Sequence, residues 1–284
     1  MNEDTRVVIN CYAGDQWQVV QKLGLFTHHE CPVVTFSPED AKVEIPGIES
    51  RFGGKVGYHG QVSLDRHDRQ LEMLLEFPEK YFLFHDSDSI CLDPKLPDYL
   101  YSEPFHLWSN IVNDNLEFRQ VGYYPDGFPK LAFQPPYFLS RETVAKLLAV
   151  AKGITQINPA LPLIDHYWVQ LAVNAGVSWR GFPDGASHGI SIDTARHANP
   201  PDDVLEMYKV GLDLAIDFAR NRGGNIFHSI KEASPIQPLL KARRLYLMDH
   251  GDGAALLRIP DWWWVSAATA DAAQAAMMAA AAEV

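Results

Sequence analysis

The segment of residues 81–88 constrains the fold of this chain most, because a hydrophobic run there gives way to two acids. Residues 81–84 are all hydrophobic and three of them are aromatic, which is typical of a strand that is buried on both faces. Strands of that kind belong to mostly parallel sheets whose faces are covered by helices. The segment therefore predicts an α/β protein and places Asp86 and Asp88 at the carboxyl end of a central strand.

Asp86 and Asp88 stand one residue apart at that predicted strand end. Open α/β sheets bind their ligands at this edge. Carboxylate oxygens are suitable ligands for Mg²⁺ and Mn²⁺, which commonly share them with substrate phosphates. The pair therefore indicates a divalent metal site. A turn that closes the strand is the alternative, because Asp and Ser side chains hydrogen-bond to the local backbone.

Other segments of the chain predict the remaining elements. Strands are expected at residues 6–12, 31–36, 90–92, 105–112, 131–133, 178–182 and 226–228. Helices are expected at residues 15–23, 63–77, 140–152, 163–175, 202–222 and 239–247. Residues 47–60 and 186–201 are expected to be loops, and Pro135 and Pro136 place their strand at a sheet edge or at a bend.

The composition narrows the classes of function. The 284 residues carry a net charge of −12, which disfavours a passive coat for nucleic acid or for an anionic membrane. The 3 cysteines have no metal-type spacing and fit a reduced compartment. We expect a cytoplasmic protein, since no signal peptide or membrane-spanning run is evident. Residues 1–250 are expected to form one catalytic domain, and residues 251–284 an appendage with a Trp cluster and an Ala-rich tail.

Two arginines, Arg66 and Arg69, lie near the start of the helix that precedes the acidic pair. The helix dipole favours acids at that position, so basic residues there are consistent with a nearby anionic ligand. The alternative is a pair of solvated arginines that form ion pairs with Asp65 or Asp68. Ser63 is the expected N-cap of this helix.

The helix of residues 163–175 has the most regular apolar face, and Gly176 is expected to end it. Asp165 and His166 fall in its first turn. The dipole favours an ionised carboxylate there, as a proton acceptor requires, although an acid is common at that position for the dipole alone. His166 is expected to be solvated.

The order of these motifs over residues 6–235 resembles that of the nucleotide-sugar glycosyltransferases of the GT-A type. Residues 7–15 match a first strand with a turn acid, and residues 64–88 match a helix that leads into the Asp-x-Asp strand end. Residues 137–141, Tyr-Phe-Leu-Ser-Arg, are similar to the acceptor-side strand and helix start. Asp165 matches an acid at the head of a helix, and residues 228–231 match a late His-x-x-Lys. His228 taken alone is more often an ordinary core or surface histidine than a ligand, but the glycines before it and Lys231 after it favour the ligand.

The resemblance implies a single GT-A-like, Rossmann-like domain with a mixed, mostly parallel sheet flanked by helices. It also implies a hexosyltransferase that uses Mn²⁺ or Mg²⁺ and a nucleotide-sugar donor, with a UDP-sugar as the expected donor. The implied metal ligands are Asp86, Asp88 and His228. The implied donor contacts are Tyr12, Asp15, Arg66, Arg69, Asp86 and Lys231. Asp165 is the implied catalytic base.

Two departures from this pattern leave the acceptor open. Many relatives have a second acid where this chain has Ile164, and glycines where it has Pro135 and Pro136. A glycan, a protein, a small molecule or a hydroxymethylated base in DNA all remain as acceptors. Alternatives in function are a sugar-phosphate nucleotidyltransferase, a metal-dependent phosphohydrolase and a non-catalytic nucleotide- or carbohydrate-binding protein. Residues 11–15 lack the Gly-rich basic loop of the nucleotidyltransferases, which disfavours the first of these.

Overall fold

A sheet of seven strands forms the centre of this protein in a computed structural model. The structure describes residues 4–11, 31–44, 48–55, 60–87, 89–91, 96–102, 107–113, 131–154, 164–182, 191–193 and 226–228. The strands are β1 (Thr5–Asn10), β2 (Val33–Ser37), β3 (Glu49–Phe52), β4 (Tyr81–Asp86), β5 (Ile90–Cys91), β6 (Leu107–Asn113), β7 (Leu131–Ser140), β8 (Trp179–Gly181), β9 (Ser191–Asp193) and β10 (Ile226–His228). The helices are α1 (Gly60–Leu74), α2 (Arg141–Ala151) and α3 (Ile164–Asn174), and a 3₁₀ turn spans Asp98–Tyr101.

The strand order of the main sheet is β3-β2-β1-β4-β7-β6-β8. Within this sheet β7 is antiparallel to both of its neighbours, whereas the other pairings are parallel. The predicted α/β class with a mixed, mostly parallel sheet is therefore confirmed. The order β3-β2-β1-β4 is that of a Rossmann-like sheet.

The strand order reverses direction between β1 and β4. The chain leaves β1 for β2 and β3 on one side and then returns to β4 on the other side. Such a topological switch point opens a crevice at the carboxyl ends of the two strands, where open α/β sheets bind ligands. The register pairs Asn10 with Asp86, so the last residues of β1 and β4 lie side by side at this crevice.

The two faces of the sheet bury different partners. Val8, Phe84 and Leu139 point to the face that α1, α2 and α3 cover. Their neighbours in the strands, such as Leu83 and Phe138, point to the other face, where they pack against residues of the segment 96–101. This alternation follows from the two-residue period of a strand, and it makes β1, β4 and β7 buried on both sides.

Helices α1 and α3 both begin at the carboxyl edge of the sheet. Helix α1 leads from β3 to β4, which run in the same direction, so the helix must run in the opposite direction. Helix α3 ends just before β8, which is parallel to β6, so the same reasoning applies to it. The first turns of α1 and α3 therefore lie near the crevice.

Helix boundaries follow their local signals in part. Ser140 caps α2 by accepting a hydrogen bond from the Thr143 backbone N–H at 3.1 Å, as predicted. Gly176 follows α3 with φ of 60°, a conformation that glycine adopts without strain. The prediction of Ser63 as the N-cap of α1 is wrong, because the helix begins at Gly60 and Ser63 lies in its first turn. Serine is compatible with a first turn, so the cap signal misplaced the start by about one turn.

Two strands fall where loops were predicted, and one strand is more central than predicted. Strands β3 and β9 lie within the predicted loops, and β3 is an exposed edge strand without the apolar pattern that marks buried strands. Strand β7 runs through Pro135 and Pro136 in the middle of the sheet rather than at its edge. The register with β6 skips both prolines, so the predicted bend is a bulge at a central position.

Several predictions lie outside the described residues. They are the helices at 15–23, 202–222 and 239–247 and the appendage at 251–284. In the part of the chain that the structure describes, no helix is long and apolar enough to cross a membrane.

Candidate functional site

Asp86 ends β4 at the switch point and is tied to the end of β1. The Asn10 side-chain amide Nδ2 donates a hydrogen bond to Asp86 Oδ1 at 3.4 Å. The Ser87 backbone N–H donates to the Asn10 carbonyl at 2.9 Å, and the Ser89 N–H donates to the Asp86 carbonyl at 3.1 Å. A backbone turn therefore follows the strand, and it holds the half-buried Asp86 carboxyl group at the crevice.

Gln70 on α1 extends this hydrogen-bond network into the helix layer. Its Nε2 donates to Asn10 Oδ1, and the side chain is buried. Neither Gln70 nor Asn10 was predicted from the sequence as a site residue. The available signal was an amide inside an apolar strand and another on the apolar face of a helix, because buried amides require hydrogen-bond partners.

A second sheet of three strands, in the order β5-β10-β9, brings the end of β10 beside the turn that follows Asp86. Strand β10 is antiparallel to β5, and Phe227 is paired with Ile90. Continuing this register by one residue sets His228 opposite Ser89. Strand β10 is also parallel to β9, and this register pairs His228 with Asp193, which the sequence analysis assigned to a loop.

The predicted site residues are described only in part. Asp86 and the backbone of His228 belong to the described residues, and Arg66, Arg69 and Asp165 do as well. Tyr12, Asp15, Asp88 and Lys231 lie outside them. Among the residues that are described, no group of three or more His, Cys, Asp or Glu side chains is arranged to hold a metal ion.

The two arginines of α1 have different environments. Arg66 is 5% exposed, so the alternative prediction of a solvated arginine is wrong for this residue. It lies one helical turn from Gln70, toward the carboxyl edge of the sheet. The loop after β3 packs on it at Gly54, where φ is 67° and an added Cβ would lie 2.6 Å from the Arg66 Cα. Arg69 is exposed and forms an ion pair with Glu72 at 2.9 Å, rather than with Asp65 or Asp68.

Asp165 lies in the first turn of α3 and is half-buried. The position of that turn is set by Trp168, whose ring stacks on Tyr137 at 4.9 Å and meets Phe84 edge-on at 6.0 Å between ring centroids. Asp165 precedes Trp168 by about one turn, toward the carboxyl edge. His166 is 6% exposed, so its predicted solvation is wrong.

Polar groups join the middle of α1 to the start of α3. The Tyr167 hydroxyl donates to Asp68 Oδ1 at 3.0 Å, and the rings of His67 and Trp168 meet edge-on at 5.9 Å. Burial, and to a smaller extent the Arg66 guanidinium, lowers the pKa of His67 to about 3. Burial raises the pKa of Asp68 and that of Tyr167. These contacts fix the start of α3 against the middle of α1.

The segment of residues 137–141 is a strand end and a helix start, as the resemblance implied, but it does not lie beside Asp86. Ser140 pairs with Tyr81, the first residue of β4, so it lies at the amino edge of the sheet. Arg141 donates hydrogen bonds to the backbone carbonyls of Leu75 and Phe77, just beyond the end of α1. The start of α2 is therefore at the edge opposite Asp86, and its arginine serves the packing of two helices.

The comparisons with known proteins found solved structures with limited similarity to this chain. The chain matches no known protein-family model, and no curated protein matches it. Solved structures similar to it include the apo form of the bifunctional glycosyltransferase WbbM, with 12% identity, a TM-score of 0.47, and coverage of 83% of this chain and 47% of that chain. This chain therefore spans about half the length of the WbbM structure.

Two further solved structures cover 63% of this chain. The 4-diphosphocytidyl-2C-methyl-D-erythritol synthase from Anaerococcus prevotii is 11% identical, with a TM-score of 0.36 and 87% of its chain covered. Protein A197 from STIV is 13% identical, with a TM-score of 0.33 and 81% of its chain covered. These identities and TM-scores are too low to assign the chain to a family.

Proposed function

We propose that this chain is a metal-dependent glycosyltransferase, which moves a hexosyl group from a nucleotide-sugar, with UDP-sugars as the first candidates, to a hydroxyl acceptor. The observation that supports the proposal is the meeting of two distant segments at the switch point. Asp86 ends β4 there, and the β5–β10 pairing brings the chain at His228 to the turn that follows. Nucleotides bind at switch points of open α/β sheets.

The residues present fit a divalent ion in their chemistry. Asp86 supplies carboxylate oxygen at the end of a strand, and Asp88 and His228 would complete the ligand set. Carboxylate oxygens suit Mn²⁺ and Mg²⁺, which commonly bind one or two carboxylates together with substrate phosphates. When bound, the ion would neutralise charge on the diphosphate leaving group.

The chain offers its own positive charge to the same diphosphate. Arg66 is buried in the second turn of α1, one helical turn closer to the carboxyl edge than Gln70. Lys231 follows β10 by three residues in sequence and would also bind the phosphates. Arg69 is a weaker candidate, because it is exposed and paired with Glu72. Tyr12 and Asp15 follow the end of β1 and would contact the nucleoside.

Asp165 is the proposed catalytic base. Its helix start is held by the Tyr167–Asp68 hydrogen bond and the Trp168 stack, so the carboxylate has a rigid support. The helix dipole favours its ionised form. Asp165 would take the proton of the acceptor hydroxyl as the new bond to the sugar forms and the bond to the diphosphate breaks. This role makes the enzyme inverting.

The test is Mn²⁺-dependent binding of UDP, measured by calorimetry with wild type and with Asp88→Ala. We expect wild type to bind UDP with Mn²⁺ and the variant to lose that dependence while it melts normally. Asp98→Ala is the matched control, since Asp98 is an exposed acid in the 3₁₀ turn. Unchanged Mn²⁺-dependent affinity in Asp88→Ala would contradict the proposed metal site.

A second measurement tests turnover. Wild type is incubated with UDP-sugars and Mn²⁺, and free UDP is followed. Slow release of UDP in the absence of acceptor is expected of a transferase, because water can replace the acceptor. Tight binding without any release of UDP, with a panel of sugars and acceptors, would contradict the enzyme and favour a binding protein.

A further inference from the structure

We propose that Gln70 and Asn10 are positioning residues, which set the orientation of the Asp86 carboxylate through a directed pair of amide hydrogen bonds. We call this set of three side chains the amide relay. The identity of its ligand, a nucleotide with a divalent ion, rests on the proposed function. The relay itself is a property of the free protein and is tested independently below.

The amide relay crosses three elements of the fold. Gln70 on α1 donates from Nε2 to Asn10 Oδ1 on β1, and Asn10 donates from Nδ2 to Asp86 Oδ1 on β4 at 3.4 Å. Gln70 is 2% exposed, so its amide is removed from water. A buried amide without partners costs free energy, and the hydrogen bond to Asn10 offsets that cost.

The hydrogen bonds of the relay have one consistent direction. An ionised carboxylate has acceptors only, so Asn10 must turn its NH₂ group toward Asp86. The Asn10 carbonyl oxygen then faces Gln70, which must present its own NH₂ group. A glutamine at position 70 therefore holds Asn10 in the orientation that donates to Asp86. A glutamate at that position would present only acceptors and would favour the reversed Asn10 amide, with its oxygen against Asp86.

Neutral donors suit a carboxylate that has to bind a cation. A hydrogen bond from an amide restrains the carboxylate without cancelling its charge, whereas an arginine or lysine at the same position would compete with a metal ion. Asn10 also accepts the backbone hydrogen bond of Ser87, so the same residue restrains the turn that leads to Asp88. The side chain of Asn10 thus restrains Asp86, and its backbone restrains the next residue, Ser87.

The first experiment measures the effect of the relay on ligand affinity. Gln70→Met removes the donor with little change in length, and Gln70→Glu keeps the shape and replaces the donor by an acceptor. The probe is UDP with Mn²⁺, and thermal melting verifies that each variant is folded. We expect roughly tenfold weaker binding for Gln70→Met, as is typical of outer partners of metal ligands, and a larger loss for Gln70→Glu.

A double-mutant cycle shows whether Gln70 acts through Asn10. In the Asn10→Ala background, Gln70→Met should weaken UDP binding no further, because the connecting amide is gone. The relay would be overturned if Gln70→Met lowered the UDP affinity equally in the wild-type and Asn10→Ala backgrounds, or if it did not lower the affinity in the wild-type background. Gln170→Met makes the same chemical change on α3 and should leave the affinity unchanged.

The second experiment needs no ligand. The side-chain NH₂ resonances of Asn10 in the full-length ¹⁵N-labelled protein are assigned by their loss in Asn10→Ala. They should shift in Gln70→Met and Gln70→Glu, since both change the partner of the Asn10 carbonyl. Unshifted resonances in folded variants overturn the relay, whether or not UDP binds. Shifted resonances in a protein that does not bind UDP with Mn²⁺ would retain the relay and reject the proposed function.

Discussion

The two ends of β1 on the helix face carry opposite kinds of polar chemistry. Arg6 lies near the amino end of the strand and Asn10 at its carboxyl end, and both point to the face on which Val8 packs against the helices. Arg6 forms ion pairs with two acids, whereas Asn10 is hydrogen-bonded to the Gln70 amide on one side and to the Asp86 carboxylate on the other. One strand therefore allows a direct comparison of the two edges of the sheet.

At the amino edge, charged groups neutralise one another. Arg6 pairs with Glu79 at 2.8 Å and with Glu49 at 3.3 Å, and its guanidinium lies 4.1 Å from the centre of the Phe77 ring. Glu79 is buried, so this pair is removed from water. Lys80 adds an exposed pair with Asp4 at 2.9 Å. Charges paired in this way contribute to the packing of the edge and not to the binding of a ligand.

At the carboxyl edge, the described contacts of Asp86 include a neutral amide, that of Asn10. This hydrogen bond orients the carboxylate and does not itself cancel the charge. Glu79, just before β4, and Asp86, at the end of β4, are thus the same type of group with different partners. The acid that is paired with an arginine contributes to stability, whereas the acid that is bonded to an amide suits a cation. Variants at the two edges should therefore separate binding and catalysis from stability.

The largest expected effect comes from Asp165→Asn at the carboxyl edge. The substitution keeps the shape of the side chain and removes the proton acceptor, so sugar transfer should slow by about 10²–10⁴-fold. UDP binding with Mn²⁺ and the melting temperature should stay at wild-type values. The rate is measured by product formation, and the anomeric configuration of the product by NMR. Near wild-type transfer, or a product that retains the donor configuration, would refute this role of Asp165.

Arg6→Met at the amino edge should have the opposite signature. It leaves the buried Glu79 carboxylate without its closest cation, and breaking a buried pair typically costs about 3–5 kcal/mol. The free energy of unfolding, measured by urea denaturation, should fall by about that amount, whereas the UDP affinity of the folded protein should not change. Adding Glu79→Gln should recover part of the loss, because no uncompensated charge remains. A loss of affinity with unchanged stability would contradict the division between the two edges.

The smallest expected effect concerns His67, which lies between the crevice and the core. Burial lowers its pKa from 6.5 to about 3, so between these values the unfolded chain binds the extra proton. The free energy of unfolding should therefore decrease as pH falls through this window, by about 1.4 kcal/mol per pH unit from this group. In His67→Phe, which keeps a ring against Trp168, this dependence should be absent.

The measurement is urea unfolding of both proteins at several pH values between 7.5 and about 5. Asp68 has a raised pKa and acts in the opposite direction, but it is present in both proteins and cancels in the difference. The stability of wild type relative to His67→Phe should fall on acidification. Parallel pH profiles of the two proteins would show that His67 is not held neutral in the folded state.

The sequence alone determined those features of this protein that depend on neighbouring residues. The apolar run before Asp86 predicted a central strand, the helical spacing around Trp168 predicted α3, and the signals at Ser140 and Gly176 predicted a helix start and a helix end. Each of these depends on backbone preferences and burial patterns within a few residues, which a sequence displays directly.

Tertiary structure alone decided which polar residues meet. Strand β3 forms at an exposed edge by pairing with β2, and no local pattern announces it. Gln70 meets Asn10, and the chain at His228 meets the turn after Asp86, through hydrogen bonds and strand pairing between residues far apart in sequence. Such contacts require the chain to close long loops before any of them forms, so their partners are chosen by the packing of the whole sheet and not by local preference.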